Sequence, residues 1–350
     1  MSLNTIFPGF SRLPLAWETP HLVTYLRYFD SHFYRTHDHV SGSADLAHLS
    51  HHEALRHFIF QGWRNRRSYS AFLYAFCEPD FYLRAYPELD LPTKAAAIQH
   101  WMYEGIVEGR SPNSVTHDLL HATTHVFNMG KCGSRTVVEA VEAACPGPLV
   151  VHAHSAVDFA RSYPNCFWSY PELIARAPGP LRFIAGVRDP FSRVVSGYLQ
   201  EHEADITNGT LVFTADLVPV MLAEMTTALP YVVGWFDHGF YCGIDAYATP
   251  FDCERGFVVC GSGNRQAFVY RLSALSRLAE PLGRFLEHGV QFTPQNIAAE
   301  KGPAMAVFQE ETLRHVRFPA PLVEETLATR FVRQFFTAAE IAHLRDRWTA

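Results

Sequence analysis

The sequence predicts an α/β fold with an open, mostly parallel sheet, preceded by a small α-helical repeat domain. Three observations carry that prediction. Apolar runs near 123–129, 149–154, 181–188 and 267–272 alternate with helical patterns near 134–145, 191–203 and 273–288, an alternation that builds a parallel sheet with helices on both faces. Two of the strand-to-helix junctions carry glycines and cations, at Gly130-Lys131 and at Gly186-Val187-Arg188. The first third of the chain repeats itself. The expected domains are therefore 1–118, with repeats at about 28–69 and 76–112, and 119–350 for the sheet; residues 111–119, opening Ser-Pro-Asn-Ser, read as the linker.

Composition bounds the partners. The chain has 350 residues, 48% of them hydrophobic, enough for a well-filled core in each of two domains. A net charge of −6 argues against a general nucleic-acid binder, whose phosphate contacts need a basic surface. No uninterrupted apolar run approaches the ~20 residues that span a membrane, and the first residues lack the basic-then-apolar order of a signal peptide. Seven scattered cysteines imply reduced thiols rather than a disulfide framework, so a cytoplasmic location is expected.

In the repeat, Phe33-Tyr34 and Phe81-Tyr82 head two similar segments. Each closes alike, His57 to Gly62 against His100 to Gly105, followed by Arg67-Ser68 against Arg110-Ser111. The offset falls from 48 at the head to 43 at the tail, so the first copy carries five extra residues, placed within Val40 to Ser50. Ala54, Leu55 and Phe58, and Ala97, Ile98 and Trp101, fall at helical spacing, with Gly62 and Gly105 expected as C-caps. No catalysis is assigned here; a helical core with a polar skin accounts for these residues, and sugar or partner binding is the alternative.

The first junction, Val126 to Thr136, ends an apolar run in Gly130-Lys131-Cys132-Gly133-Ser134-Arg135-Thr136 and starts a helix at once. Such a turn leaves backbone N–H groups converging beside a lysine, a setting for phosphate-like anions. A Walker A loop would need glycine where His125 stands and a hydroxyl where Cys132 follows Lys131, which weakens an ATPase or GTPase reading. A helix N-terminus and Lys131 are expected to lower the Cys132 pKa. Between the junctions, His152 and His154 share one face of a strand near its end, facing the same crevice as Lys131. They could be packed histidines or a zinc pair, but no cysteine or carboxylate at ligand spacing completes a metal site, so no metal is expected.

The two junctions, in this order, resemble the 5′- and 3′-phosphate loops of sulfotransferases that use 3′-phosphoadenosine 5′-phosphosulfate (PAPS). His152-Ala153-His154 looks like the His-x-His stretch of uronyl and heparan sulfate 2-O-sulfotransferases, and falls where cytosolic sulfotransferases carry the histidine of their Lys-Thr-His motif. Trp235-Phe236-Asp237, Phe240 to Tyr247, Pro250-Phe251-Asp252, Asn296 to Gly302 and Phe335 to Ile341 follow in an order similar to the bacterial family of capsular polysaccharide synthesis proteins, over residues 120 to 350. Arg135 departs from that pattern, where a small hydroxyl residue is usual. The repeats resemble units found beside bacterial glycosyltransferases and other surface-glycan enzymes, the second copy more closely through Glu108 to Pro112.

The resemblance implies a P-loop-like sulfotransferase domain moving a sulfuryl group from PAPS to a hydroxyl of a saccharide or glycan. It implies His154 as general base and Lys131 as the group stabilising the leaving group, with His152 beside the acceptor. The loop Cys132, Gly133, Ser134, Arg135 and Thr136 would hold the 5′-phosphosulfate, and Arg188 and Ser196 the 3′-phosphate, with Arg193 carrying less. Asn296 and Lys301 would close the site, and the repeats would associate with surface-glycan enzymes. Two other readings remain: a non-catalytic glycan-binding or scaffold protein, and a nucleotide-dependent hydrolase or kinase.

Overall fold

The computed structural model describes residues 19–37, 46–145, 147, 149–240, 242–293 and 302–350. The chain divides after Asp118 into two compact units, the first also taking in Asn165–Phe167.

In the first unit the duplication acquires a physical basis. The helices His51–His57 and Lys94–His100 each run on into a single π turn, Phe58–Gly62 and Trp101–Gly105. The head tyrosine of each copy hydrogen-bonds the histidine that starts the closing stretch: Tyr34 Oη to His57 Nδ1 at 2.6 Å, Tyr82 Oη to His100 Nδ1 at 3.0 Å. The glycines are not C-caps. Gly105 is right-handed at φ −59°, and the left-handed residue that ends this helix is Gly109 at φ 75°. What Gly62 and Gly105 provide is space, since a Cβ there would sit 2.0 Å from the Tyr34 hydroxyl and 2.3 Å from that of Tyr82. Each copy also closes on itself: Asp30 N–H donates to the Tyr69 carbonyl and Glu78 N–H to that of Pro112. Tyr69 and Tyr103 then tie the copies together by donating to the carbonyls of Met102 and Arg67. The stretch expected as a linker is instead occupied by the helix Ser114–His121, while most of the span expected to hold the five extra residues lies outside the described residues.

The second unit is an α/β fold on a five-stranded mixed sheet, β1 Thr124–Phe127, β2 Val150–Ala153, β3 Leu181–Val187, β4 Phe257–Ser262 and β5 Arg265–Arg271, in the order β2-β1-β3-β5-β4. β2, β1, β3 and β5 are parallel; β4, absent from the sequence reading, pairs antiparallel with β5 through a two-residue Gly263-Asn264 turn. Along β1 the side chains alternate between two cores. Val126 joins Val137 and Val141 of the helix Ser134–Ala144, together with Ile184 and Phe268. Phe127 turns the other way and stacks on Tyr170, near Trp235 and Phe240. Each fully buried Val or Phe stabilises the fold by ~1.5–3 kcal/mol. The helical pattern expected over 191–203 breaks at His202 into Pro190–Glu201 and Glu203–Thr207, and that over 273–288 into a 3₁₀ turn Leu272–Arg277 and a helix Ala279–Leu286. From β1 the chain crosses to β2 on one side, and from β3 to β5 on the other. The ends of β1 and β3 thus flank a topological switch point, where open sheets of this kind leave a crevice.

His125 on β1 is fully buried between Tyr170 and Phe183. Its Nε2 donates to the Ala122 carbonyl and its Nδ1 lies 3.2 Å from the Tyr170 hydroxyl, which can donate to the neutral ring. Burial pushes its pKa down to about 4. The unfolded ring, near 6.5, therefore takes up a proton over a range where the native ring does not, so stability is present above about 6.5 and lost as pH falls toward 4. Urea unfolding at pH 7 and pH 4 should show His125→Gln losing ~3 kcal/mol less than wild type across that interval; parallel curves would remove His125 as the titrating group.

Candidate anion-binding site

The turn between β1 and the helix Ser134–Ala144 is set by its backbone. Gly130, Lys131 and Gly133 all take positive φ, at 75°, 58° and 81°; a left-handed lysine is a strained conformation that the surroundings must enforce. Asn128 starts the turn by accepting the Gly130 N–H on Oδ1 at 2.9 Å, an Asx turn. Four consecutive carbonyls are then each held by a side chain. Met129 O accepts from Arg193 Nη2 at 2.7 Å, Gly130 O from Cys132 Sγ at 3.3 Å, Lys131 O from Arg188 Nη1 at 3.2 Å, and Cys132 O from the Tyr270 hydroxyl at 2.7 Å. In a trans peptide the next N–H points opposite to the carbonyl, so this bracing aims the N–H groups of 131–133 the other way. They continue into the first turn of an eleven-residue helix whose N-cap, Gly133, offers no side-chain cap. First-turn N–H groups have no intrahelical acceptor, and together with the left-handed turn they form an anion nest.

Lys131, Gly133 and the residues of the helix start open on a cleft of about 910 Å³, within the range of small-molecule and cofactor sites. The structure brings Lys131, Gly133, Ser134, Arg135, Thr136, His152, His154, Arg188 and Ser196 to this one cleft. Arg188 follows β3 directly and Ser196 lies within the helix Pro190–Glu201, so both junctions serve one space. Asn296 and Lys301 lie outside the described residues. Cys132 does not fit its expected role: it is absent from the cleft lining and fully buried, with its thiol pKa pushed up to about 12 by burial rather than lowered. Its contribution is to bond Gly130 O and to fill the space over Gly186.

The histidines differ. His154 Nδ1 lies 3.1 Å from the Asn128 carbonyl, which can only accept, so Nδ1 carries the proton and Nε2 the lone pair. Burial lowers the His154 pKa, with the cations of Arg193 and Lys131 adding to the shift against the opposing Asn128 bond and Asp158, so the ring is neutral at pH 7. Its backbone N–H donates to Asp158 Oδ2 at 2.8 Å, and its carbonyl accepts from the Tyr231 hydroxyl. His152 meets His154 edge to face at 4.8 Å, and burial followed by the nearby His154 pushes its pKa to about 4. The Nε2 of His152 is buried and meets no hydrogen-bond partner among the described residues.

Asn128, Asp158 and Tyr270 are the parts of the site the sequence reading did not place, and for Gly186 and Arg193 it did not find their contacts with the turn. Asn128 had a legible signal as an Asx turn residue ahead of glycine; Tyr270, 138 residues from its partner, had none. No family model, no curated protein and no solved structure matches this chain.

Gly186 lets the turn lie over the sheet, because a Cβ there would stand 2.5 Å from Cys132 Cβ and 2.8 Å from the Tyr270 hydroxyl. Gly186→Ala should destabilise the second unit by ~1–3 kcal/mol through overpacking and displace the Tyr270–Cys132 bond. Urea unfolding measures the first effect, and weakened pyrophosphate binding the second. A variant with wild-type stability and binding would show that the turn does not depend on this contact.

Proposed function

We propose that this protein is a PAPS-dependent sulfotransferase acting on a hydroxyl of a saccharide or glycan. The observation that carries the reading is the single cleft into which both junctions open, with a neutral histidine whose tautomer leaves Nε2 as a base. The residues present suit such a donor: an anion nest with Lys131 and Arg135 for the 5′-phosphosulfate, and Arg188 with Ser196 for a second phosphate. PAPS supplies a sulfuryl group on a good leaving group, adenosine 3′,5′-bisphosphate. As the acceptor oxygen forms its bond to sulfur and the sulfur–phosphate oxygen bond breaks, the hydroxyl proton passes to His154 Nε2. Lys131 and the nest stabilise the negative charge left on the phosphate. His152, in the same cleft and edge to face with His154, orients the base or the acceptor. A role of the repeats in association with surface-glycan enzymes belongs to the same proposal.

Adenosine 3′,5′-bisphosphate should raise the melting temperature well beyond AMP at equal concentration, since a ligand at a hundredfold excess over Kd adds ~2.7 kcal/mol; equal shifts would remove the second phosphate site. With PAPS and a panel of glycans, mass spectrometry should find one added sulfate, insensitive to EDTA. His154→Ala should lower kcat by ~10²–10⁴ at unchanged bisphosphate affinity. Below the depressed His154 pKa the base is protonated, so wild-type kcat/KM should fall with acid at a lower pH than an unperturbed histidine would give. Near-normal turnover of His154→Ala would move the base elsewhere.

A further inference from the structure

We infer that Arg193 is a positioning residue of the cleft, holding from behind the turn that carries Lys131. The inference rests on the reading of the cleft as an anion site. Arg193 stands in the first turn of the helix Pro190–Glu201, and its Nη2 donates to Met129 O at 2.7 Å, the first of the four braced carbonyls. Its guanidinium lies 5.8 Å from the centre of the Tyr231 ring, whose hydroxyl donates to the carbonyl of His154. One side chain thus touches the base of the anion turn and the residue behind the histidine.

The charge itself is the second argument. Arg193 Nε is buried without a hydrogen-bond partner, and no carboxylate forms an ion pair with this guanidinium among the described residues. A half-buried cation in that state is unfavourable unless a nearby anion offsets it. Arg193 does not line the cleft, so it does not grip a ligand directly. Its field nevertheless reaches the turn, where it acts on Cys132 and His154. An anion seated on the Lys131 nest provides the missing counter-charge, while the Met129 bond keeps the nest in shape to receive it. The sequence reading gave Arg193 less weight than Arg188; the structure puts both arginines on carbonyls of the same turn.

The test is titration calorimetry on the full chain with adenosine 3′,5′-bisphosphate, adenosine 3′-monophosphate, AMP and inorganic pyrophosphate as probes. Arg193→Gln should weaken the three probes that carry a 5′-phosphate or pyrophosphate by roughly ten- to a hundredfold, and change 3′-monophosphate binding by less than about twofold. Arg193→Lys, which keeps the charge and one donor, should recover part of the loss and also serves if the glutamine variant does not fold. Equal weakening of both monophosphates would mark Arg193 as a general structural residue and overturn the inference, as would unchanged binding of all four. A wild type that binds pyrophosphate without preferring the bisphosphate to AMP would overturn the donor reading, and the pyrophosphate loss in the variant would then decide Arg193 alone.

Discussion

The site depends on four consecutive backbone carbonyls each being held by a side chain. Met129, Gly130, Lys131 and Cys132 each give up their oxygen to a side chain, from Arg193, Cys132, Arg188 and Tyr270. Such hydrogen bonds contribute ~0.5–1.5 kcal/mol each, more where the donor is charged, which together can hold Lys131 in a left-handed conformation costing ~1–3 kcal/mol. Three of the four donors come from β5, from the end of β3 and from the helix after it, and the fourth, Cys132, from the turn itself, so the parallel sheet is the frame that fixes the turn. Chemistry at the cleft follows from that frame. The same Asn128 that starts the turn offers the carbonyl that selects the His154 tautomer, so the turn and the imidazole are set by one residue.

The electrostatics are local. Lys131, Arg135 and Arg188 line the cleft in a chain whose net charge is −6. Overall charge therefore does not steer an anionic ligand from a distance; attraction begins within about a Debye length, roughly 8 Å at physiological salt. The two carboxylates in the lining, Asp158 and Glu203, stand among these cations. Asp158 is engaged by the His154 backbone and by Ser155 Oγ as acceptor of the Asp158 N–H on the same turn.

Much of the sheet was legible because apolar runs of strand length alternate with helical periodicity, and β1, β2, β3 and β5 fall within a few residues of their expected places. β4 was readable but unread: Phe257–Ser262 leads through Gly263-Asn264 into β5, a short glycine-containing hairpin signal. In the site, Lys131, His154, Arg188 and Ser196 came from local motifs, since a strand end, a turn and a helix start are written in consecutive residues. The misjudged positions depend on distant chain. Cys132 was expected at a helix N-terminus beside a lysine, yet Gly186 and Tyr270 bury it and burial outweighs the three nearby cations, Arg193, Arg188 and Lys131. Gly62 and Gly105 sit near helix ends, but what selects them is a tyrosine ring from a segment 23 or more residues earlier.

The Tyr–His bond of each repeat forms in spite of a difference in length between the two copies. It spans 23 residues in the first copy and 18 in the second. Closing the longer loop costs only about 0.2 kcal/mol more, because loop-closure entropy grows with the logarithm of length. The register of either copy is fixed at its two ends by a phenol, an imidazole and a glycine, and the chain between them carries little of that information. Loop-closure entropy therefore opposes the five extra residues only weakly, whereas a single methyl group added at Gly62 has nowhere to go. In this architecture, length is the tolerant variable and side-chain volume at the closure point is the intolerant one.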